Sequence, residues 1–122
     1  MMQTLKRPLL ILSFALVVSS LVHAQTLSLS GFLYRYSPGT PSPSPVIQYE
    51  IYLFGQSGMW IGPAITDING GYAFYNLPPG KYLMRIYRVQ YQSQTQSQRV
   101  PVWEQEVQVP GVVNPIVLPQ DR

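Results

Sequence analysis

Beyond residue 24 the chain has few of the side chains that catalysis uses. Its only histidine is His23 and it has no cysteine, so the later region contains neither. That composition excludes serine–histidine and cysteine–histidine nucleophiles and the usual zinc sites. Glu104 and Glu106 are close enough in sequence to form the carboxylate pair that glycoside hydrolysis needs. On a strand they would share one face about 7 Å apart, not facing each other across a cleft. We expect no enzyme.

The motif Asp67-Ile68-Asn69-Gly70 offers oxygen atoms like the start of a calcium loop. A full calcium loop supplies several more oxygen ligands, including a late bidentate glutamate that does not follow here at the required spacing. Asn-Gly is also the strongest short signal for a tight hairpin turn. We interpret the motif as a turn and expect neither a metal site nor a cofactor.

Aromatic residues are the side chains best suited to bind a partner. All nine tyrosines and both tryptophans lie after residue 24. Where Leu33, Leu53 or Ile86 points into a core, strand alternation directs its neighbours outward. Outward rings stack on sugars, anchor a protein partner or pair across strands. The pattern assigns no face to Trp103 and leaves that of Trp60 open. The residues expected at such a surface are Phe32, Tyr34, Tyr36, Tyr52, Trp60 and Tyr87.

The first 24 residues have the three parts of a secretory signal. Lys6 and Arg7 form a basic start, residues 9–18 are apolar, and Val22-His23-Ala24 has small residues where a signal peptidase cuts. The apolar run is shorter than the ~20 residues of a membrane-spanning helix. We predict a cleaved signal helix over residues 1–24, with an uncleaved anchor as the alternative.

Cleavage there would leave one nearly neutral domain, residues 25–122. The whole chain carries eight basic and five acidic residues, and loss of Lys6 and Arg7 lowers the net charge from +3 to +1. No basic block remains to bind nucleic acid. Without cysteine the domain has neither a disulfide nor a site for a lipid, so we expect no membrane anchor after cleavage. These features are typical of a bacterial protein that is periplasmic or secreted.

Short runs of alternating, β-branched and aromatic residues fill this domain, and no helical period is sustained. The loop 37–45 holds four prolines, which cannot donate ladder hydrogen bonds, and residues 90–98 are polar. Seven short strands are typical of a two-sheet sandwich, with a closed barrel as the alternative. The predicted strands are residues 26–36, 46–54, 59–66, 72–76, 81–89, 99–109 and 112–118.

The turn at Asn69-Gly70 leaves two registers open for the strands it joins. A two-residue turn pairs Ile65 with Phe74, whereas a longer loop brings Ala64 and Thr66 onto the face of Phe74. A slip of one residue reverses the two faces of a strand, so the side on which Trp60 lies depends on this register.

The residues around this turn carry a family pattern. Thr66-Asp67 is followed by Gly70, by Tyr72 two residues later, and then by Leu77-Pro78-Pro79-Gly80-Lys81-Tyr82. This pattern resembles the carboxypeptidase regulatory-like domain, and the similarity covers most of residues 27–89. The resemblance implies an all-β, seven-stranded, transthyretin-like (prealbumin-like) Greek-key sandwich with a structural, adhesive or carbohydrate-associated role. We interpret as architecture the motif residues Asp67, Gly70, Phe74, Leu77, Gly80 and Tyr82.

We therefore expect an exported, non-enzymatic sandwich that acts as a structural or accessory protein. Its partner would be an envelope or extracellular protein, bound by the outward aromatics or by an unpaired edge strand at residues 99–109. The alternative is a carbohydrate-binding module, in which Trp60 or the exposed tyrosines stack on a polysaccharide.

The signal-peptide prediction is tested by the mass of the exported protein. When the full chain is expressed in a bacterium, mass spectrometry of the exported form should give a chain that begins at Gln25. A mass that retains residues 1–24 would establish the uncleaved anchor instead.

Overall fold

The computed structural model describes residues 26–119, and the predicted signal segment lies outside them. The described residues contain no helix long and apolar enough to cross a membrane. They form nine strands: β1 (Leu27–Arg35), β2 (Ser44–Pro45), β3 (Glu50–Phe54), β4 (Trp60–Ile65), β5 (Gly71–Tyr75), β6 (Gly80–Tyr91), β7 (Ser97–Val109), β8 (Gly111–Val112) and β9 (Ile116–Leu118).

The strands form two separate sheets, so the all-β, two-sheet prediction is confirmed and the closed barrel is wrong. In the first sheet β1 is central, with β2 and β5 antiparallel to it and β8 and β9 parallel to it. The second sheet is antiparallel throughout, in the order β4-β3-β6-β7. In that sheet β7 is a long edge strand whose only strand partner within residues 26–119 is β6.

Strand alternation directs one set of apolar side chains between the two sheets. Leu33, Ile51, Leu53, Met84 and Ile86 are completely buried there. Burial of each such side chain stabilises the fold by roughly 1.5–3 kcal/mol. Because the sequence has no cysteine, this core stabilises the fold without a disulfide. Further core residues are Leu29, Tyr49, Tyr72, Phe74, Tyr82, Val107, Val109, Val113, Ile116 and Leu118.

The hydroxyl of Tyr72 is a polar group buried in this core. The ring of Tyr72 packs across the backbone of Gly31, where a Cβ atom would collide with it. The hydroxyl has no hydrogen-bond partner within the described residues. Burial raises the pKa of Tyr72 to about 12, because the phenolate would lose its hydration there.

Backbone irregularities leave exposed two apolar residues that strand alternation would place on the same face as Leu33 and Leu53. The strand predicted over residues 46–54 begins only at Glu50, because Gln48 has a left-handed backbone with φ 63°. Ile47, on the far side of that break, is exposed. In β1 a register shift between Leu27 and Leu29 leaves Leu27 exposed as well.

The strands near the C-terminus also differ from the prediction. β6 and β7 pair from Gly80↔Val109 to Tyr91↔Ser97, so the polar stretch 90–98, which the sequence left open as a loop or a solvated strand edge, is paired at both ends and forms a loop only at residues 92–96. Polar side chains are tolerated there because they point to solvent while the backbone pairs. The predicted strand 112–118 is divided into β8 and β9 by a segment containing Pro115, which has no N–H to donate. With the two-residue β2, this division gives nine strands where seven were predicted.

Both registers predicted for the Asn69-Gly70 hairpin are wrong, because β4 and β5 belong to different sheets. The turn itself is tight. The N–H of Asp67 donates to the carbonyl of Gly71 at 3.0 Å, and the N–H of Gly70 donates to the carbonyl of Asp67 at 2.9 Å. Oδ1 of Asp67 accepts the N–H groups of Asn69 and Gly71, both at 2.9 Å. The turn therefore transfers the chain from the second sheet to the first.

Gly70 in this turn should tolerate no side chain. Its φ is 76°, and a Cβ would collide with the carbonyl oxygen of Leu33 and approach Cβ of Pro45 to 3.2 Å. Gly39 has a φ of 77° with nothing within 4 Å of its Cβ position, so Gly39→Ala is a matched control for backbone strain alone. By urea denaturation we expect losses of about 1 kcal/mol for Gly39→Ala and about 3 kcal/mol for Gly70→Ala. Equal losses of stability in the two variants would show that the collision of a Cβ at Gly70 contributes nothing.

Candidate functional site

Aromatic and charged side chains meet on the outer face of the second sheet. Alternate residues of β3 and β6 are buried in the core, so the residues between them face outward. The strand register places Tyr52 opposite Arg85 and Phe54 opposite Trp60. We call this surface the aromatic–arginine face, formed by Tyr52, Phe54, Trp60, Arg85, Tyr87 and Arg99.

The rings of this face contact one another and one guanidinium group. The centroids of Phe54 and Trp60 are 4.9 Å apart, with the rings tilted by 44°. Tyr52 and Tyr87 meet edge to face at 5.5 Å. The guanidinium carbon of Arg85 lies 4.9 Å from the ring centroid of Trp60, a cation–π contact. These contacts restrict the side chains before any partner binds.

Two ion pairs orient the arginines. Arg99 donates from Nε and Nη2 to the two carboxylate oxygens of Glu50, at 2.7 and 3.1 Å. Arg85 donates from Nε to Oε2 of Glu104 at 2.8 Å and from Nη1 to the hydroxyl of Tyr87 at 3.2 Å. Bidentate and charge-assisted bonds of this kind are the strongest hydrogen bonds in proteins.

Glu50 is the electrostatic centre of this network. Its side chain is only 11% exposed. Hydrogen bonding from Arg99 lowers the pKa of Glu50, although burial acts in the opposite direction. The hydroxyl of Tyr52 donates to Oε1 of Glu50 at 3.1 Å, and burial together with this bond raises the pKa of Tyr52. At neutral pH the carboxylate is therefore charged and the phenol neutral, which preserves the network.

A shallow depression of about 410 Å³ lies on this face. Its lining consists of the rings of Tyr52, Trp60 and Tyr87 and the guanidinium groups of Arg85 and Arg99. Each guanidinium is already paired with a carboxylate, so the depression presents aromatic surface and hydrogen-bond donors without an uncompensated charge. A guanidinium has five N–H groups, of which Arg99 uses two on Glu50.

The structure brings together three of the six surface aromatics named from the sequence. Tyr52, Trp60 and Tyr87 share the aromatic–arginine face. The other three belong to the first sheet or its border: Phe32 and Tyr34 lie in β1, and Tyr36 follows its end. Trp103 is separate from both groups. It is partly buried against the core, and its indole N–H donates to Oε1 of Gln105 at 2.9 Å.

The motif residues occupy the turns and the core. Phe74 and Tyr82 are buried and Leu77 packs against the core. The hydroxyl of Tyr82 donates to the carbonyl of Pro78 at 2.7 Å, which ties the Pro-Pro-Gly corner to the core. The N–H of Leu77 donates to Oγ of Ser28 at 2.8 Å. Asp67 and Gly70 form the turn described above, and Gly80 begins β6 with φ 148°.

Sequence reasoning missed the polar half of the aromatic–arginine face. Glu50 and Phe54 alternate with core residues in β3, as Arg85 does in β6, so their outward direction was available from the pattern. The ion pair between Glu50 and Arg99 could not be predicted from the pattern, because these residues are 49 positions apart and meet only through the order of the strands.

The outer face of the first sheet has a different character. Phe32 and Tyr34 have ring centroids 6.5 Å apart and are nearly parallel, at 20°. Ser30 lies between Ala73 of β5 and Val112 of β8 in the register. These side chains carry no charge, whereas the outer face of the second sheet holds three ion pairs.

Comparison of the chain with protein-family models and with curated proteins found no match. Within residues 26–119 no group of three or more His, Cys, Asp or Glu side chains is placed to hold a metal ion. The function must therefore be argued from the surface chemistry of the two faces.

Replacement of Glu50 should weaken the fold in a pH-dependent way. The pKa of Glu50 is lowered in the folded protein, so its charge stabilises the fold above the ordinary value of 4.5, and this stabilisation is lost as the pH falls through the folded value. We expect Glu50→Gln to lower the free energy of unfolding by about 1–3 kcal/mol at neutral pH and by much less at an acidic pH below the folded pKa of Glu50. Urea denaturation at both pH values measures the difference.

Glu106→Gln is the matched control for this test. The Glu106 carboxylate is 69% exposed and lies 3.8 Å from Nζ of Lys81, so its loss should change little at either pH. If Glu50→Gln cost the same at both pH values, the charge of Glu50 would not be the stabilising feature.

Proposed function

We propose that this protein is an exported, non-enzymatic β-sandwich that binds another protein through the aromatic–arginine face. The observation that carries the proposal is the depression lined by Tyr52, Trp60, Tyr87 and two arginines. Tryptophan, tyrosine and arginine are the residues most enriched among those whose truncation costs an interface about 2 kcal/mol or more. Here they cluster on one face.

Pre-organisation supports this proposal. Binding costs about 0.5–1.5 kcal/mol for each flexible side chain that must be immobilised. On this face Arg99 is already held by Glu50, and Arg85 by Glu104 and the ring of Trp60. A partner therefore meets a surface whose large side chains are largely ordered, and less of the contact energy is lost on binding.

The contacts of Trp60 favour a protein over a sugar at this site. A sugar ring stacks on a free aromatic face. The indole of Trp60 is 44% exposed, but the guanidinium of Arg85 and the ring of Phe54 already pack against it. A sugar would have to displace one of these groups, whereas a protein segment can pack around all three.

The arrangement of the sheets supports the family resemblance that the sequence proposes. The chain crosses from β4 in the second sheet to β5 in the first, returns at β6, and crosses again after β7. Repeated crossing between two sheets is the connectivity that a Greek-key sandwich requires. We therefore propose a transthyretin-like, carboxypeptidase regulatory-like module, made with a cleaved signal and active in the periplasm or outside the cell.

Site-directed photo-cross-linking tests the protein-binding proposal. A photoreactive phenylalanine analogue is placed at position 87, in cells that produce the protein, and at position 75 as the control. Tyr75 is 48% exposed and lies in β5 of the first sheet. We expect a discrete adduct from position 87 and none from position 75. The purified adduct partner should bind Trp60→Ala at least tenfold more weakly, a loss of about 1.4 kcal/mol. Adducts from position 75 alone would overturn the proposal.

Carbohydrate binding is the second candidate, and the observation that favours it lies on the first sheet. The nearly parallel, uncharged pair Phe32 and Tyr34 offers ring surface without an ion pair to displace. Retention of the protein on an insoluble polysaccharide, lost in Phe32→Ala and kept in Trp60→Ala, would establish this function at that pair.

A further inference from the structure

We propose that the aromatic–arginine face binds an uncharged, proline-rich segment, and that the loop of residues 37–45 in a second copy of this chain is such a segment. This inference rests on the proposed function and names the chemistry of the partner. It joins two features that are separate in one molecule, the donor-rich depression and the loop rich in proline.

The loop is exposed and carries no charge. Its sequence is Ser-Pro-Gly-Thr-Pro-Ser-Pro-Ser-Pro, and Pro41 and Ser42 are exposed while Pro43 is half-buried. The loop begins with a turn, in which the N–H of Thr40 donates to the carbonyl of Ser37 at 3.3 Å, and it ends in β2, where Ser44 and Pro45 pair with β1. Proline has no N–H to donate, so the four prolines of the loop supply carbonyl acceptors without matching donors. The loop is therefore rich in acceptors and poor in donors.

The depression has the complementary composition. Trp60 is 44% exposed and its indole N–H makes no hydrogen bond within the described residues, and Arg99 has further N–H groups beyond those that bind Glu50 and the hydroxyl of Tyr52. These donors match the acceptor carbonyls of the loop. An ionic ligand would have to compete with the Arg99–Glu50 and Arg85–Glu104 pairs, whereas an uncharged segment leaves both pairs intact.

The rings match the prolines of the loop. Aromatic-lined grooves bind proline-rich segments in several unrelated domains, where the prolines dock against aromatic side chains. Tyr52, Trp60 and Tyr87 supply such a lining around the 410 Å³ depression.

The fold places these two features on opposite layers. The loop ends in β2, which pairs with β1 of the first sheet, whereas the depression faces away from the core on the second sheet. The contact therefore joins two copies. The loop of one copy binds the face of the next, so the contact is head-to-tail and can extend into a chain of copies.

Sedimentation of the protein made from the full sequence tests this contact. We expect the average mass to rise with protein concentration. Trp60→Ala and the double substitution Pro41→Ser/Pro43→Ser should each weaken association at least tenfold, and far-UV circular dichroism should show that both remain folded. The control Tyr75→Ala, on the first sheet, should associate like the unsubstituted protein.

Mixing the two weakened variants gives a second, independent measurement. Trp60→Ala keeps an intact loop and the proline variant keeps an intact face, so an equimolar mixture should form one loop-to-face contact and stop at a dimer. A mixture that stays monomeric, or variants that associate like the unsubstituted protein, would overturn the proposal.

A synthetic peptide of residues 36–46 separates this proposal from the protein-binding function. Binding of the peptide, with a change in tryptophan fluorescence that Trp60→Ala removes, supports the proline-rich specificity. If the peptide fails to bind and the protein stays monomeric while position 87 still cross-links to a protein, the proline proposal is wrong and the protein-binding function stands. If position 87 gives no adduct either, both are wrong.

Discussion

The corner at Thr66–Gly71, where the chain passes from one sheet to the other, is the constraint on which the rest of the structure depends. Thr66 is 2% exposed; its N–H donates to the carbonyl of Tyr49, and its Oγ1 accepts the N–H of Tyr49, both at 3.0 Å. Four residues later the carbonyl of Gly70 accepts the N–H of Leu33 at 2.9 Å. One short segment therefore bonds to Tyr49, the residue before β3, and to Leu33 within β1. It sets the relative position of the two sheets in a protein that has no disulfide to do so.

The two outer faces follow from that arrangement, and they differ because their strands differ in order. The second sheet places β3 and β6 side by side in its centre, which brings the outward tyrosines and Arg85 together. Pairing of β6 with β7 over their whole length then brings Glu104 beside Arg85 and Arg99 within reach of Glu50. The first sheet is built around β1 and short partners. Its outward pair Phe32 and Tyr34 is an uncharged aromatic surface. A single small sandwich thus presents two surfaces of different chemistry.

The aromatic–arginine face is suited to binding because its side chains are already ordered, and not because any of them is reactive. Its charges are compensated within the protein, since the Arg99–Glu50 pair is bidentate and Arg85 is held by a carboxylate, a phenol and an indole. Such a network leaves little charge for a partner to neutralise, so its affinity must come from ring packing and from the remaining N–H donors. That is the physical reason for preferring an uncharged, acceptor-rich protein segment to an ionic ligand at this face.

The sequence by itself determined the fold class, because period-two alternation interrupted by turn residues is a local property that any strand must show. It also predicted the outward direction of Tyr52, which lies between Ile51 and Leu53, and of Tyr87, which follows the inward-facing Ile86. The tertiary structure alone decided which outward residues share a face. Glu50 and Arg99 meet because β6 stands between β3 and β7, and β4 leaves β5 at Asp67 although Asn-Gly favours a hairpin locally. Local sequence determines how a turn bends, whereas the partner of each strand depends on the burial that the whole core achieves, and that information is spread over residues far apart in the chain.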